Sequence, residues 1–179
     1  NLALIATASN SANIQWQSGG ATNWNISFGS PGFNVNNGTI INAGSNPFNL
    51  TGLSSNSTYE IYVRDRCGPG DVSLWTGPIT ITTACSPLHA PYFENFEGPS
   101  WTVGSFTTPG GINGCWSRSH INGYYFTTNQ GAGAIFNTGP SGDKTSGSGK
   151  YVYTTQQGLG SNNTDSEINS PQIDLSALT

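Results

Sequence analysis

Few side chains in this sequence are of the types that carry out catalysis. The chain has two histidines, His89 and His120, and no Gly-x-Ser-x-Gly, His-Glu-x-x-His or phosphate-binding glycine motif. Glu94 and Glu97 are three residues apart, but spacing along the chain does not predict a pair of carboxylates facing each other across a cleft. We therefore predict no catalytic residues, and that the chain is not an enzyme.

Charged residues make up only 8% of the 179 residues, and the five Lys and Arg are scattered. With a formal net charge of −4, the chain offers no basic surface for phosphates, so we predict no binding to nucleic acid. No apolar run approaches the roughly 18 residues of a membrane span, so we predict no membrane insertion. The lysine-poor composition, rich in Asn, Gly, Ser and Thr, predicts a secreted, cell-surface or extracellular protein.

Short runs of β-branched and aromatic residues alternate with Gly, Asn and Pro, which predicts an all-β fold with many turns. Three segments place apolar residues at every second position, as expected for strands with one buried face. These alternating sets are Ala12, Ile14, Trp16; Trp24, Ile26, Phe28; and Tyr59, Ile61, Val63.

The first half of the chain carries the marks of an immunoglobulin-like sandwich. Leu53 and Tyr59 resemble the tyrosine corner, in which a tyrosine at the start of a strand bonds back to the preceding turn. Together with Trp16, Ser73 and Trp75, they make residues 1–86 similar to a fibronectin type III domain. The resemblance implies a seven-strand sandwich.

The second half, residues 87–179, resembles the N-terminal part of a MAM domain, an extracellular jelly-roll adhesion module. The matching features are Phe96-Glu97, Trp101, Trp116, the stretch Gly-Pro-x-x-Asp-x-Thr-x-Gly-x-Gly-x-Tyr at 139–151, and Ser170-Pro171. Because that family's domain is longer, we expect this jelly roll to be incomplete and the chain to be part of a longer protein. The two domains in tandem resemble parts of large secreted cell-surface proteins of Bacteroidetes-type bacteria.

The MAM resemblance implies a structural Ca²⁺ held by Glu97 and Asp143. Calcium prefers several hard oxygen ligands, some of them backbone carbonyls, and Asp143 lies in a loop of Gly, Ser and Thr. The alternative is that Asp143 forms an Asx-turn and Glu97 meets solvent.

The aromatic run Tyr124-Tyr125-Phe126 is the best candidate for a ligand-binding surface patch. Aromatic residues of a β-sandwich are more often in its core, but consecutive strand residues face opposite sides, so at least one ring points away from its neighbours. Tyr124 and Tyr125 are therefore candidates for contact with a surface polysaccharide.

These features predict a non-catalytic adhesion, spacer or assembly module of a larger secreted protein, on the cell surface or in an extracellular filament. Its expected partners are other protein modules or copies of the same chain. The alternative is a carbohydrate-binding accessory region of a secreted hydrolase. Because a fold does not fix a function, both remain open at this point.

The three cysteines allow one disulfide, Cys85 to Cys115. Cys67 and Cys85 differ in strand register by about ten residues, or about 30 Å at roughly 3.3 Å per residue, whereas a disulfide needs Cα atoms within roughly 7 Å. The alternative is three separate thiols, and no Cys-x-x-Cys pair suggests zinc or redox chemistry.

A count of free thiols in the unreduced, denatured chain distinguishes these alternatives. Mass spectrometry after alkylation should find one modified cysteine, Cys67, if Cys85 and Cys115 are joined. Three modified cysteines would exclude the disulfide.

Overall fold

The computed structural model of the protein describes residues 1–105, 107–119, 124–131, 140–156 and 166–178. These residues form β-strands and turns and no helix, which confirms the predicted all-β fold. Accordingly, no helix capable of crossing a membrane occurs in these ranges. The chain separates into two compact units, Asn1–Ser86 and Pro87–Thr179.

The first unit consists of two antiparallel sheets. Its strands are β1 (Leu2–Thr7), β2 (Ser11–Trp16), β3 (Trp24–Gly29), β4 (Thr39–Ala43), β5 (Phe48–Thr51), β6 (Thr58–Gly68), β7 (Asp71–Val72) and β8 (Thr76–Thr82). One sheet has the order β1–β2–β5, and the other has the order β4–β3–β6, with β7 and β8 both paired to β6.

The core of the first unit is built from the predicted alternating positions. Ile14 and Trp16 of β2, Ile26 of β3 and Ile61 of β6 are all buried, so the predicted inward faces of these strands are confirmed. Trp16 packs edge-on against Trp24, with ring centroids 5.3 Å apart. Each large buried side chain contributes about 1.5–3 kcal/mol to folding relative to an exposed one.

Strand β3 differs from the prediction of a single buried face. Ser27 and Asn25, which lie between its apolar residues, are buried as well. The Ser27 hydroxyl donates to the carbonyl of Val35, and the Asn25 side chain bonds to Asn42 and accepts from Arg64. Because these partners satisfy both polar groups, the second face of β3 can be covered at little cost.

The predicted tyrosine corner is present in the first unit. Tyr59 is the second residue of β6, and its hydroxyl oxygen accepts a hydrogen bond from the Ser54 backbone N–H at 2.9 Å. The ring also packs against Phe28. The bond fixes the turn between β5 and β6.

Replacing Tyr59 with Phe should destabilise the chain by about 1 kcal/mol, because it removes this hydrogen bond and leaves the ring packing intact. Urea unfolding of the two proteins measures the difference. Tyr62→Phe is the matched control: its ring packs on Phe33, its hydroxyl has no hydrogen bond to any part of the chain that the structure describes, and we expect a change below about 0.5 kcal/mol. Equal effects of the two substitutions would contradict this assignment.

The described residues of the second unit form three two-stranded ladders. Its strands are β9 (Leu88–His89), β10 (Ser117–Arg118), β11 (Tyr124–Gln130), β12 (Lys150–Gln156), β13 (Ile168–Asn169) and β14 (Ile173–Asp174). The long ladder is antiparallel β11–β12, β10 pairs antiparallel with β13, and β9 pairs parallel with β14. Strand β9 lies between Pro87 and Pro91, at the start of this unit.

Polar groups of the β11 strand anchor a neighbouring loop in the second unit. The buried hydroxyl of Thr127 accepts from the Gly110 N–H at 2.9 Å, and the buried Tyr125 hydroxyl donates to the carbonyl of Ser105 at 2.8 Å. The Arg118 guanidinium donates to the carbonyls of Phe126 and Gly110. These bonds hold Ser105 and Gly110 against the strand, so hydrogen bonds as well as apolar contacts stabilise the interior of this unit.

Candidate functional site

The Asp143 carboxylate is the centre of a tight loop that precedes β12. It accepts hydrogen bonds from the backbone N–H groups of Thr145 (3.1 Å), Ser146 (3.0 Å) and Gly149 (2.8 Å), and from the Ser146 hydroxyl. The backbone of Asp143 also bonds to that of Gly147 and Gly149, both at 3.0 Å. Both carboxylate oxygens are therefore occupied by donors of the loop itself.

These bonds make Asp143 a stronger acid. The Ser146 hydroxyl bond, followed by those from the backbone N–H groups of Ser146, Gly149 and Thr145, lowers the pKa of Asp143 from 3.8 to about 2, because each donor stabilises the charged form. The side chain is consequently ionised throughout the neutral range and serves as a permanent acceptor for the loop.

Glu97 joins the same loop from a distant part of the chain. Its Oε1 accepts a hydrogen bond from the Lys150 backbone N–H at 2.5 Å, across 53 positions of sequence. Gly149 is buried between the two carboxylates: a Cβ there would clash with Glu97 Oε1 and lie 2.9 Å from Asp143 Oδ1. Only glycine fits at this position, which explains the second glycine of the Gly-x-Gly-x-Tyr segment. Glu97 and Asp143 thus lie together, as the interpretation of a shared site requires.

The direction of Glu97 is set by its neighbour Phe96, which adopts a left-handed backbone conformation with φ of 61°. This conformation costs a bulky residue about 1–3 kcal/mol. The Phe96 ring packs edge-on against Trp101 and Trp116, with centroids 5.0 and 6.2 Å away, and Trp101 is buried. Contact with the two tryptophans offsets the backbone strain.

A second carboxylate, Glu94, supports the same turn. It accepts from the Phe96 backbone N–H at 2.8 Å and from the Tyr92 hydroxyl at 2.9 Å. Burial, followed by the bond to Glu94, raises the pKa of the Tyr92 hydroxyl, so Tyr92 stays a neutral donor. Glu94 and Glu97 therefore act as acceptors for different backbone groups.

No protein-family model matches this chain, and no curated protein matches it in sequence. The resemblances to fibronectin type III and MAM domains accordingly remain predictions.

Calcium takes six to eight oxygen ligands. Glu97 and Asp143 supply two carboxylates, but no group of three or more His, Cys, Asp or Glu side chains suited to a metal occurs within the described ranges. Asp143 could bind a cation only by giving up at least one N–H donor. The alternative interpretation, an Asx-type turn, describes the observed loop without a cation.

Of the two tyrosine candidates, Tyr124 is 39% exposed and Tyr125 is buried. The expectation that Tyr125 could face a ligand at the surface is therefore wrong, because its ring lies in the interior and its hydroxyl bonds to Ser105. The run does place one ring outward, and that ring is Tyr124. Sequence alternation alone could not decide which of the two consecutive rings would be buried.

The other residues singled out in the sequence are cysteines and histidines. Cys67 is exposed and free at the end of β6, and the disulfide between Cys85 and Cys115 remains a prediction. His89 is largely exposed in β9, with Nδ1 3.6 Å from the Asp174 carboxylate, while His120 lies outside the described residues.

Acidification should open the Asp143 loop. Because the folded pKa of Asp143 is depressed, its contribution is complete above pH 3.8 and is lost as the pH falls through about 2. We expect the Ser146 and Gly149 amide protons to lose protection from hydrogen exchange over this range, as followed by NMR. Asp143→Ala should expose them at neutral pH, because alanine has no side-chain oxygen to accept the bonds from the Ser146 and Gly149 N–H groups.

Asp71→Ala is the matched control, since it removes a similar charged side chain from the exposed strand β7 of the other unit. Unchanged protection of the Ser146 and Gly149 amides in Asp143→Ala would contradict the role given to this carboxylate.

Proposed function

We propose that this chain is a non-catalytic adhesion, spacer or assembly module of a larger secreted cell-surface protein, with other modules or copies of itself as partners. The observation that carries the proposal is how the second unit uses its acidic groups. Glu94, Glu97 and Asp143 each accept hydrogen bonds from backbone N–H groups. In these positions they stabilise turns, and Glu94 also accepts from the Tyr92 hydroxyl. This structural use of the acidic groups supports a non-catalytic role.

The tandem arrangement of two compact β units supports the same proposal. The first unit has its own closed apolar core, and several large apolar side chains remain at the surface, where they are available to a partner. Among them are three within six residues of the second unit: Ile173, Leu175 and Leu178 are 40%, 60% and 62% exposed. Clustered exposed apolar residues of this kind are typical of protein–protein contact sites.

Sedimentation velocity of the purified chain over a range of concentrations tests the assembly role. We expect reversible self-association that weakens in Leu175→Ser/Leu178→Ser, because these substitutions remove apolar area from the interface. Leu74→Ser, at the most exposed leucine of the first unit, is the control and should not change the association. A monomer at every concentration would contradict association between copies, and turnover of polysaccharide or peptide substrates would contradict the non-catalytic role.

Calcium binding is a separate part of the proposal, and it rests on the two adjacent carboxylates at Gly149. If Glu97 and Asp143 hold Ca²⁺, the melting temperature should rise with added calcium and fall with EDTA, and the Ser146 and Gly149 amide resonances should shift as donors leave Asp143. Glu97→Gln should abolish these changes, whereas Asp71→Asn should preserve them. No change in a chain that holds the complete second domain would rule out the cation.

The alternative role, carbohydrate binding as an accessory to a hydrolase, is favoured by one observation, the outward position of Tyr124. Loss of polysaccharide binding in Tyr124→Ala, with binding retained in Tyr62→Phe, would support it.

A further inference from the structure

The second unit contains a groove between the Phe93–Glu97 segment and the Asp143 loop. It encloses about 590 Å³, within the range of roughly 300–1,000 Å³ that is usual for small-molecule sites. The side chains that decide its chemistry are Phe93, Asn95, Glu97, Gln130, Lys144 and Lys150.

Both lysines of the entire chain border this groove. The Lys144 ammonium makes no hydrogen bond or ion pair with any residue of the described ranges, and the Lys150 ammonium makes only a long bond, 3.4 Å, to the Glu97 backbone carbonyl. The nearby carboxylates are held by backbone and hydroxyl donors instead. Two cationic donors therefore remain available to a ligand, beside carboxylates whose positions are fixed.

Phe93 gives the groove an apolar surface. Its side chain is 77% exposed, and it forms no ring pair within the part of the chain that the structure describes. Phe96, three residues later, is packed against two tryptophans. An exposed ring beside polar groups suits a ligand with one apolar face and several hydrogen-bonding groups, and a sugar ring has this combination.

The mixture of donors and acceptors indicates a neutral ligand. Ammonium and amide donors lie beside carboxylate and amide acceptors, and a sugar hydroxyl both donates and accepts. Three carboxylates line the groove and the chain carries a net charge of −4, so a polyanionic polysaccharide would be repelled. The two ammonium groups offset two of these three carboxylates, so the groove does not concentrate the negative charge that would select a polycationic ligand.

We infer that this groove binds a neutral saccharide, with Phe93 against a sugar face and Lys144 bonded to sugar hydroxyls. The inference rests on the proposed non-catalytic surface role and names a ligand class and a site for it. The site differs from the Tyr124 patch, which is not among the residues that line the groove.

Isothermal titration of the purified chain with defined oligosaccharides tests the inference. The neutral probes are cello-, xylo-, manno- and laminari-oligosaccharides, and the charged probes are alginate and chitosan oligosaccharides. We expect binding to at least one neutral probe that exceeds binding to either charged probe. Phe93→Ala should weaken it about tenfold, and Lys144→Gln should weaken it several-fold.

Two variants serve as controls. Leu74→Ala removes an apolar side chain of the other unit that is even more exposed than Phe93, and Tyr124→Ala removes the alternative aromatic patch. Neither should change the affinity. Near-ultraviolet circular dichroism would verify that each variant is folded.

Three results would overturn the inference: no binding to any neutral probe, tighter binding to alginate or chitosan, or binding that is lost in Tyr124→Ala and kept in Phe93→Ala. Self-association is measured without saccharide. A chain that does not bind saccharide is therefore distinguishable from a chain that does not self-associate.

Discussion

One side-chain hydrogen bond connects two parts of the second unit that lie 53 positions apart in sequence, the bond from the Lys150 backbone N–H to the Glu97 carboxylate. Lys150 begins β12, which pairs along its length with β11. Glu97 follows Phe96, whose ring packs on Trp101 and Trp116. This contact therefore links an aromatic cluster near the start of the unit to its longest ladder, and the loop around Asp143 closes beside it.

The electrostatics of this unit follow from its shortage of charge. With only 8% charged residues, the chain has few ion pairs to use, and within the described ranges the single one is His89 to Asp174. Carboxylates are satisfied by backbone N–H groups instead, which are strong donors to a charged acceptor. Because backbone N–H groups bond to the carboxylates, the two lysines of the groove have no carboxylate partners among the residues that the structure describes. The absence of such partners is the physical basis for assigning the lysines to a ligand.

The sequence predicted those features that depend on local periodicity or a short motif. The alternation of apolar residues at Ile14 and Trp16 identified the core face of β2. The spacing of Leu53 and Tyr59 identified the tyrosine corner. Asp143 could be singled out because it belongs to the Gly-Pro-x-x-Asp-x-Thr-x-Gly-x-Gly-x-Tyr stretch, a loop rich in Gly, Ser and Thr. In each case neighbouring residues along the chain determine the structure.

Features that depend on tertiary packing were not predictable. The left-handed conformation of Phe96 is stabilised by tryptophans later in the chain, and the burial of Ser27 depends on its bond to Val35. Gly149 is restricted by Glu97, 52 positions earlier, and nothing in the local sequence indicates that contact. Alternation likewise could not tell which of Tyr124 and Tyr125 would face inward.

The hydrogen-exchange rate of the Lys150 amide tests the central claim most directly. If the Glu97 carboxylate organises the second unit, this amide should be strongly protected in the native chain. In Glu97→Ala the protection should be lost together with that of Gly149, while amides of β3 in the first unit are unchanged. Exchange of the native Lys150 amide at the rate of an exposed peptide group, or protection that survives in Glu97→Ala, would contradict the account.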